Sequence, residues 1–166
     1  MSTAVKLDTS TFRNEEITLL QEQLKALHRV QAVIEFNLDG TIITANENFL
    51  NTLGYSLDQI QNKHHSMFCD PEYTKTPEYK KFWQNLGAGQ FSTGEFKRFG
   101  KGGKEIWINA SYNPIFDSEG KVCKVVKFAT DITANKQRNS EFEGKVTAIS
   151  RAPVSYTHLR AHETSL

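Results

Sequence analysis

Little in this chain points to chemistry on a substrate. Only two of its 166 residues are cysteine, Cys69 and Cys123, and they are far apart with no CxxC spacing. That argues against a disulfide framework and leaves free thiols in a reducing cytoplasm as the expectation. No apolar run approaches the ~20 residues a membrane helix needs. The start, Met1-Ser2-Thr3-Ala4-Val5-Lys6, lacks the apolar segment of a secretion signal. The net charge is +1 with both signs mixed, so there is no basic field of the kind that draws nucleic acid. No GxSxG, P-loop, HExxH or paired-carboxylate motif occurs, and an enzyme is not expected.

What the chain does have is apolar and aromatic material, at 38% and 11% of residues, enough for one core. The most organised stretch is Gly94 to Thr133. Three runs rich in aromatic and β-branched residues are separated by Gly100-Lys101-Gly102-Gly103 and Asp117-Ser118-Glu119-Gly120. This predicts a three-stranded antiparallel meander. Upstream, Ala32–Leu38 and Thr41–Ala45 flank Asp39-Gly40, a second hairpin whose turn residues tolerate positive φ. Asn46 is placed to cap a helix bearing Phe49, Leu50 and Leu53, and Gly54 to stop it. Ser56 opens a short helix through Ile60, and residues 61–76 look irregular. Thr76-Pro77 then starts a helix with Tyr79, Phe82, Trp83 and Leu86 on one face.

These elements predict an α+β fold: a five-stranded antiparallel sheet with helices over one face and a pocket between. The expected organisation is a disordered N-terminus over 1–13, a flanking amphipathic helix over 14–31, the domain over 32–133 and an exit helix over 134–152. On the first helix, Ile17, Leu20, Leu24 and Leu27 follow an a/d spacing that suits either a dimer seam or packing on the domain itself. On the exit helix, Phe142, Val146 and Ile149 repeat such a spacing. Thr147–Ala152 echoes Lys25–Val30, as though a second repeat were beginning. Residues 153–166 show no strand alternation and resemble translated sequencing adapter. They are set aside, with the native protein expected to be longer and its output domain to lie beyond this chain.

In order, Ile34–Ile42, Ala45-Asn46, Leu53-Gly54-Tyr55-Ser56, Gly94-Glu95-Phe96, Lys101-Gly102-Gly103, Trp107–Ala110, Pro114-Ile115 and Asp131-Ile132-Thr133 resemble a PAS domain. The likeness covers roughly residues 30–133. His65-Ser66-Met67-Phe68, with Pro71, Trp83, Gly94 and Lys127–Thr133, is similar to the PAS modules of aerotaxis and other cytoplasmic methyl-accepting chemotaxis receptors. The resemblance implies a cytoplasmic sensory module and not an enzyme. It implies a homodimer joined through flanking helices, a downstream signalling domain and a chemotaxis kinase complex. It also implies a cofactor, FAD, with haem b or no cofactor as alternatives.

Candidate site residues follow. The resemblance places His65, Asp70 and Trp83 near a cofactor, and His65 would be the axial ligand if that were haem. Cys69 and Asp70 stand where flavin-binding aerotaxis sensors carry an arginine and a histidine, which removes two cationic partners for a pyrophosphate. His64, His65, Cys69 and Asp70 fall within seven positions, but no further Cys or His pair closes a zinc site of known spacing. Strand alternation puts Ile106, Ile108, Ala110 and Tyr112 on one side, as a pocket wall. Arg98 lies either on a solvated outer face or inside, where it would need an anionic partner. Asp131 and Thr133 are expected to relay the signal: Thr133 by capping the exit helix, Asp131 by tying strand end to helix start.

Overall fold

The strands that are split in sequence meet in one sheet. In the computed structural model, which describes residues 9–151 and the side chains of 9–145, five antiparallel strands lie in the order β2-β1-β5-β4-β3. They are β1 (Ala32–Phe36), β2 (Ile42–Ala45), β3 (Ser92–Phe99), β4 (Glu105–Phe116) and β5 (Val122–Asp131). The last strand, β5, is therefore central, between β1 and β4. One face carries Ile34, Phe36, Ile106, Ile108, Tyr112 and Val125, all nearly inaccessible, and the core forms there. Among the described residues no helix is long and apolar enough to cross a membrane.

The helices are α1 (Thr9–Val30), α2 (Glu47–Leu53), α3 (Leu57–Ile60), α4 (Pro71–Thr74), α5 (Pro77–Gly87) and α6 (Thr133–Arg151). The first begins at Thr9, ahead of the expected Asn14, so residues 9–13 are helical and not frayed. Residues 1–8 and the tail from 152 onward lie outside the described residues. The stretch 61–76 is less irregular than expected: it holds a 3-10 turn, His65–Phe68, and α4. Asp70-Pro71 explains the latter. The carboxylate accepts from Glu72 N–H at 2.8 Å, and proline fits the first helical position.

Asn46 does more than cap. Its Oδ1 accepts from Phe49 N–H at 3.0 Å and from Val33 N–H at 2.9 Å. Its Nδ2 donates to the His28 and Gln31 carbonyls at 3.1 and 2.9 Å, and Asn48 Nδ2 supports the same carbonyls. Two asparagines thus satisfy carbonyls that the end of α1 leaves without helical partners. The apolar row of α1 does not fold onto the domain: Ile17, Leu20, Leu24 and Leu27 are 39–64% exposed.

Residues up to Thr133 form one compact unit and those from Ala134 another. In the second, α6 carries Phe142 exposed, and the side chains of Val146 and Ile149 lie outside the described set.

Candidate ligand-binding site

Three polar side chains are sealed into the core: His65 at 0% exposure, Lys127 at 1% and Arg98 at 5%. The sheet register brings them together. Tyr112 on β4 pairs with Lys127 on β5, and Lys127 pairs on its other side with Ile34 of β1. Arg98 enters from β3, opposite Ile106. The 3-10 turn delivers His65 from above, anchored where His65 N–H donates to the Gly40 carbonyl at 2.9 Å.

Tyr112 is the hub. Arg98 Nη2 donates to its hydroxyl at 3.1 Å, and His65 Nε2 lies 3.0 Å from the same oxygen. His65 Nδ1 lies 2.9 Å from the Tyr79 hydroxyl, with Cys69 Sγ at 3.6 Å. A neutral imidazole has one donor and one acceptor. Because Tyr112 already accepts from Arg98, its own proton is best used on Nε2. His65 then carries its proton on Nδ1 and donates to Tyr79. Burial, followed by the charges of Arg98 and Lys127, holds His65 well below the usual 6.5, so it stays neutral. Burial also pushes the Tyr112 phenol up to about 12, although Arg98 pulls the other way.

Lys127 has no such company. Its Nζ sits 4.9 Å from the Tyr112 ring centre and 5.6 Å from that of Phe49. Among the described residues no carboxylate pairs with Lys127 or Arg98. Burial first and Arg98 second drive the amine well below its ordinary 10.5. Arg98 Nη1 donates to the carbonyl of Lys97 at 2.8 Å, while Arg98 Nε and Trp83 Nε1 have no hydrogen-bond partner among the described residues.

Of the residues singled out from sequence, His65, Arg98 and Tyr112 meet directly. Trp83 packs on His65 with ring centres 5.3 Å apart, and Ile108 is buried on the same face. Arg98 is inside, and the anionic partner an inner arginine called for is replaced by the Tyr112 hydroxyl. Asp70 belongs elsewhere: it is exposed and serves α4. His64 turns to the β1–β2 turn, where Nε2 donates to the Asp39 carbonyl at 2.8 Å and Nδ1 accepts from Ser66 N–H. Lys127 and Tyr79 were not picked out as site residues, and Cys69 was weighed only as a member of a possible metal cluster.

At the joint after β5, Asp131 ties strand end to helix start as expected: its Oδ1 accepts from Thr133 N–H at 2.9 Å and from the Thr133 hydroxyl at 2.6 Å. Thr133 Oγ1 instead reaches back to β4, accepting from Trp107 N–H at 3.0 Å. Ile132 N–H donates to the Trp107 carbonyl at 2.8 Å.

Neither cofactor suits this arrangement. Both ring nitrogens of His65 are engaged, so iron ligation would break the bond to Tyr112. The rings of Phe36, His65, Phe82, Trp83 and Tyr112 contact one another at centroid separations of 4.9–5.7 Å, the spacing of a filled core. A porphyrin or flavin ring would have to displace them, and Asp70 offers a pyrophosphate only repulsion.

The comparisons agree with the architecture. A family model described as the PAS fold matches residues 42–129. The biofilm dispersion protein BdlA of Pseudomonas aeruginosa is 44% identical over 119 residues, which is 72% of this chain and 28% of that protein. The aerotaxis receptor of Escherichia coli is 29% identical over 97 residues, 58% of this chain and 19% of the receptor. The chain thus spans under a third of either relative. A PAS domain crystal structure from Colwellia psychrerythraea superposes with a TM-score of 0.60 at 26% identity, covering 70% of this chain and 98% of that one. Sheet order, helical cover and sequence match converge: this chain belongs to the PAS family.

Proposed function

We propose that the chain is the sensory module of a chemotaxis-type receptor, in which occupancy of the buried cluster changes how β4 and β5 pack. The observation that carries this is the pair of sealed cations, Arg98 and Lys127, gathered around Tyr112 with no acid to match them. A purely structural core has no use for such a pair, since unpaired buried charge costs several kcal/mol. Tyr112 and Trp107 share β4, and Trp107 is bonded on both its N–H and its carbonyl to the Ile132–Thr133 joint. Helix capping there is worth about 1 kcal/mol, small enough for a ligand-driven bias of ~1–3 kcal/mol to override. The signal then passes to a downstream signalling domain and chemotaxis kinase complex, in a cytoplasmic homodimer joined through the exposed row of α1. Chemistry on a substrate is not part of this reading.

One observation favours a second reading, a ligand-free dimerisation module: the interlocked aromatic rings leave the core filled. Native mass spectrometry and visible absorbance of the purified chain, with hydrogen exchange at the Trp107 and Thr133 amides, separate the two. A bound small molecule whose removal changes exchange at those amides supports the sensor. A ligand-free chain with unchanging exchange supports the scaffold.

A further inference from the structure

We infer that the inner face of the sheet binds a small monocarboxylate, its head between Arg98 and Lys127 and its apolar body taking the place that one of the surrounding rings now fills. This names the ligand class for the sensory reading and rests on that reading for its regulatory meaning. The same strand shows how an ordinary lysine is handled: Lys124 points to the outer face and pairs with Glu35 at 2.8 Å. Lys127 is held on the central strand at 1% exposure, with no ion-pair partner among the described residues.

Arg98 makes the same demand from the other side. Nη1 and Nη2 are used on a backbone carbonyl and a phenol, both neutral, and Nε is left over. A guanidinium fits a planar oxyanion best, through two parallel bonds from one edge. A carboxylate on the Nε and Nη2 edge supplies the missing acceptor, releases the Tyr112 hydroxyl and restores a counter-charge to Lys127. The shell around the pair is aromatic, with Phe49 against Lys127 and Phe96 against Arg98 at 4.9 Å. A dianionic phosphate would lose more hydration there than a monoanion, which selects a carboxylate with an apolar tail.

Binding is coupled to protons. The titratable groups around Lys127 are Arg98 from β3, Tyr112 from β4, and His65 and Cys69 from the 3-10 turn and the residue after it. None is an acid that could pair with the amine. An incoming carboxylate stabilises the charged form of Lys127 and so raises its depressed pKa, and affinity falls as pH rises through that range.

The test is calorimetric titration of the 166-residue chain with acetate, hexanoate and benzoate, against benzamide and inorganic phosphate. Benzoate or hexanoate is expected to bind at least about tenfold more tightly than benzamide or phosphate. Lys127→Met, which removes the charge while filling the space, should fold with a raised Tm yet lose about tenfold or more in carboxylate affinity. Arg98→Gln should lose as much. No carboxylate binding, equal binding of benzamide, a preference for phosphate, or unchanged affinity in Lys127→Met overturns the site. If a different molecule binds and alters exchange at Trp107, the carboxylate site falls and the sensory reading stands. If a carboxylate binds and that exchange does not change, the site stands and the relay falls.

Discussion

Replacing Lys127 with methionine should make the protein more stable. The two side chains are of similar length, and the site is 1% exposed, so the change deletes a buried amine without opening a cavity. Burying a polar group without a compensating bond costs about 1–3 kcal/mol on mutational scales, and that cost is what the methionine removes. At about 2–4 °C per kcal/mol for a chain of this size, Tm should rise by roughly 2–12 °C. The pH dependence gives a second check. Native Lys127 titrates well below 10.5, so between its native value and 10.5 the unfolded chain holds the additional proton. Wild-type stability therefore rises with pH through that window and carries the full penalty below it. The gap between variant and wild type should narrow as pH climbs toward 10.5. Calorimetric melts at about pH 7 and about pH 9 stay about one unit below the pKa of an unfolded tyrosine. A Tm that falls, or a gap that does not shrink, would refute the idea of an unpaired buried amine.

His65 predicts an opposite limb. Its native value lies well below 6.5, so its contribution is complete above 6.5 and is lost as pH falls, when the unfolded imidazole takes a proton that the buried one refuses. In urea melts His65→Gln should flatten that acid limb, whose slope reaches about 1.4 kcal/mol per pH unit. Gly40→Ala should cost about 1–3 kcal/mol in the same assay. Gly40 sits at φ +89°, and a Cβ there would come within 2.6 Å of His64 Nε2 and 3.0 Å of Trp83. Thr133→Val deprives Trp107 N–H of its acceptor, worth about 1 kcal/mol, and should quicken exchange of that amide by about fivefold.

The scaffold was legible because its signals are local. Asn46, Gly54, Ser56 and Thr76-Pro77 mark helix ends through their own backbone chemistry, and strand alternation on β4 separated inner from outer residues. Lys127 was not legible for a physical reason. On β5 the inner positions read Val125, Lys127, Ala129 and the outer ones Val126, Phe128, Thr130, so the outer row looks the more apolar of the two. Only its pairing with Tyr112 and Ile34 shows which way Lys127 faces. Arg98 suffered the same ambiguity on β3, where a charged residue on an edge strand reads as solvated. The hydroxyl of Thr133 was misassigned because threonine is a common helix cap, and sequence does not say that β4 will occupy it instead. The Tyr79–His65 bond spans 14 residues between separate elements and has no spacing signature.

Asn46 ties three parts of the chain through a single carboxamide: the end of α1, the start of β1 and the first turn of α2. Its neighbour β1 lies edge to edge with β5, the strand that holds Lys127 and closes at Asp131. Torsion applied to α1 by a companion helix would consequently be felt one strand away from the buried amine. On the proposed sensory reading the same lever works in reverse, and the first helix is as much an outlet for the core as the last.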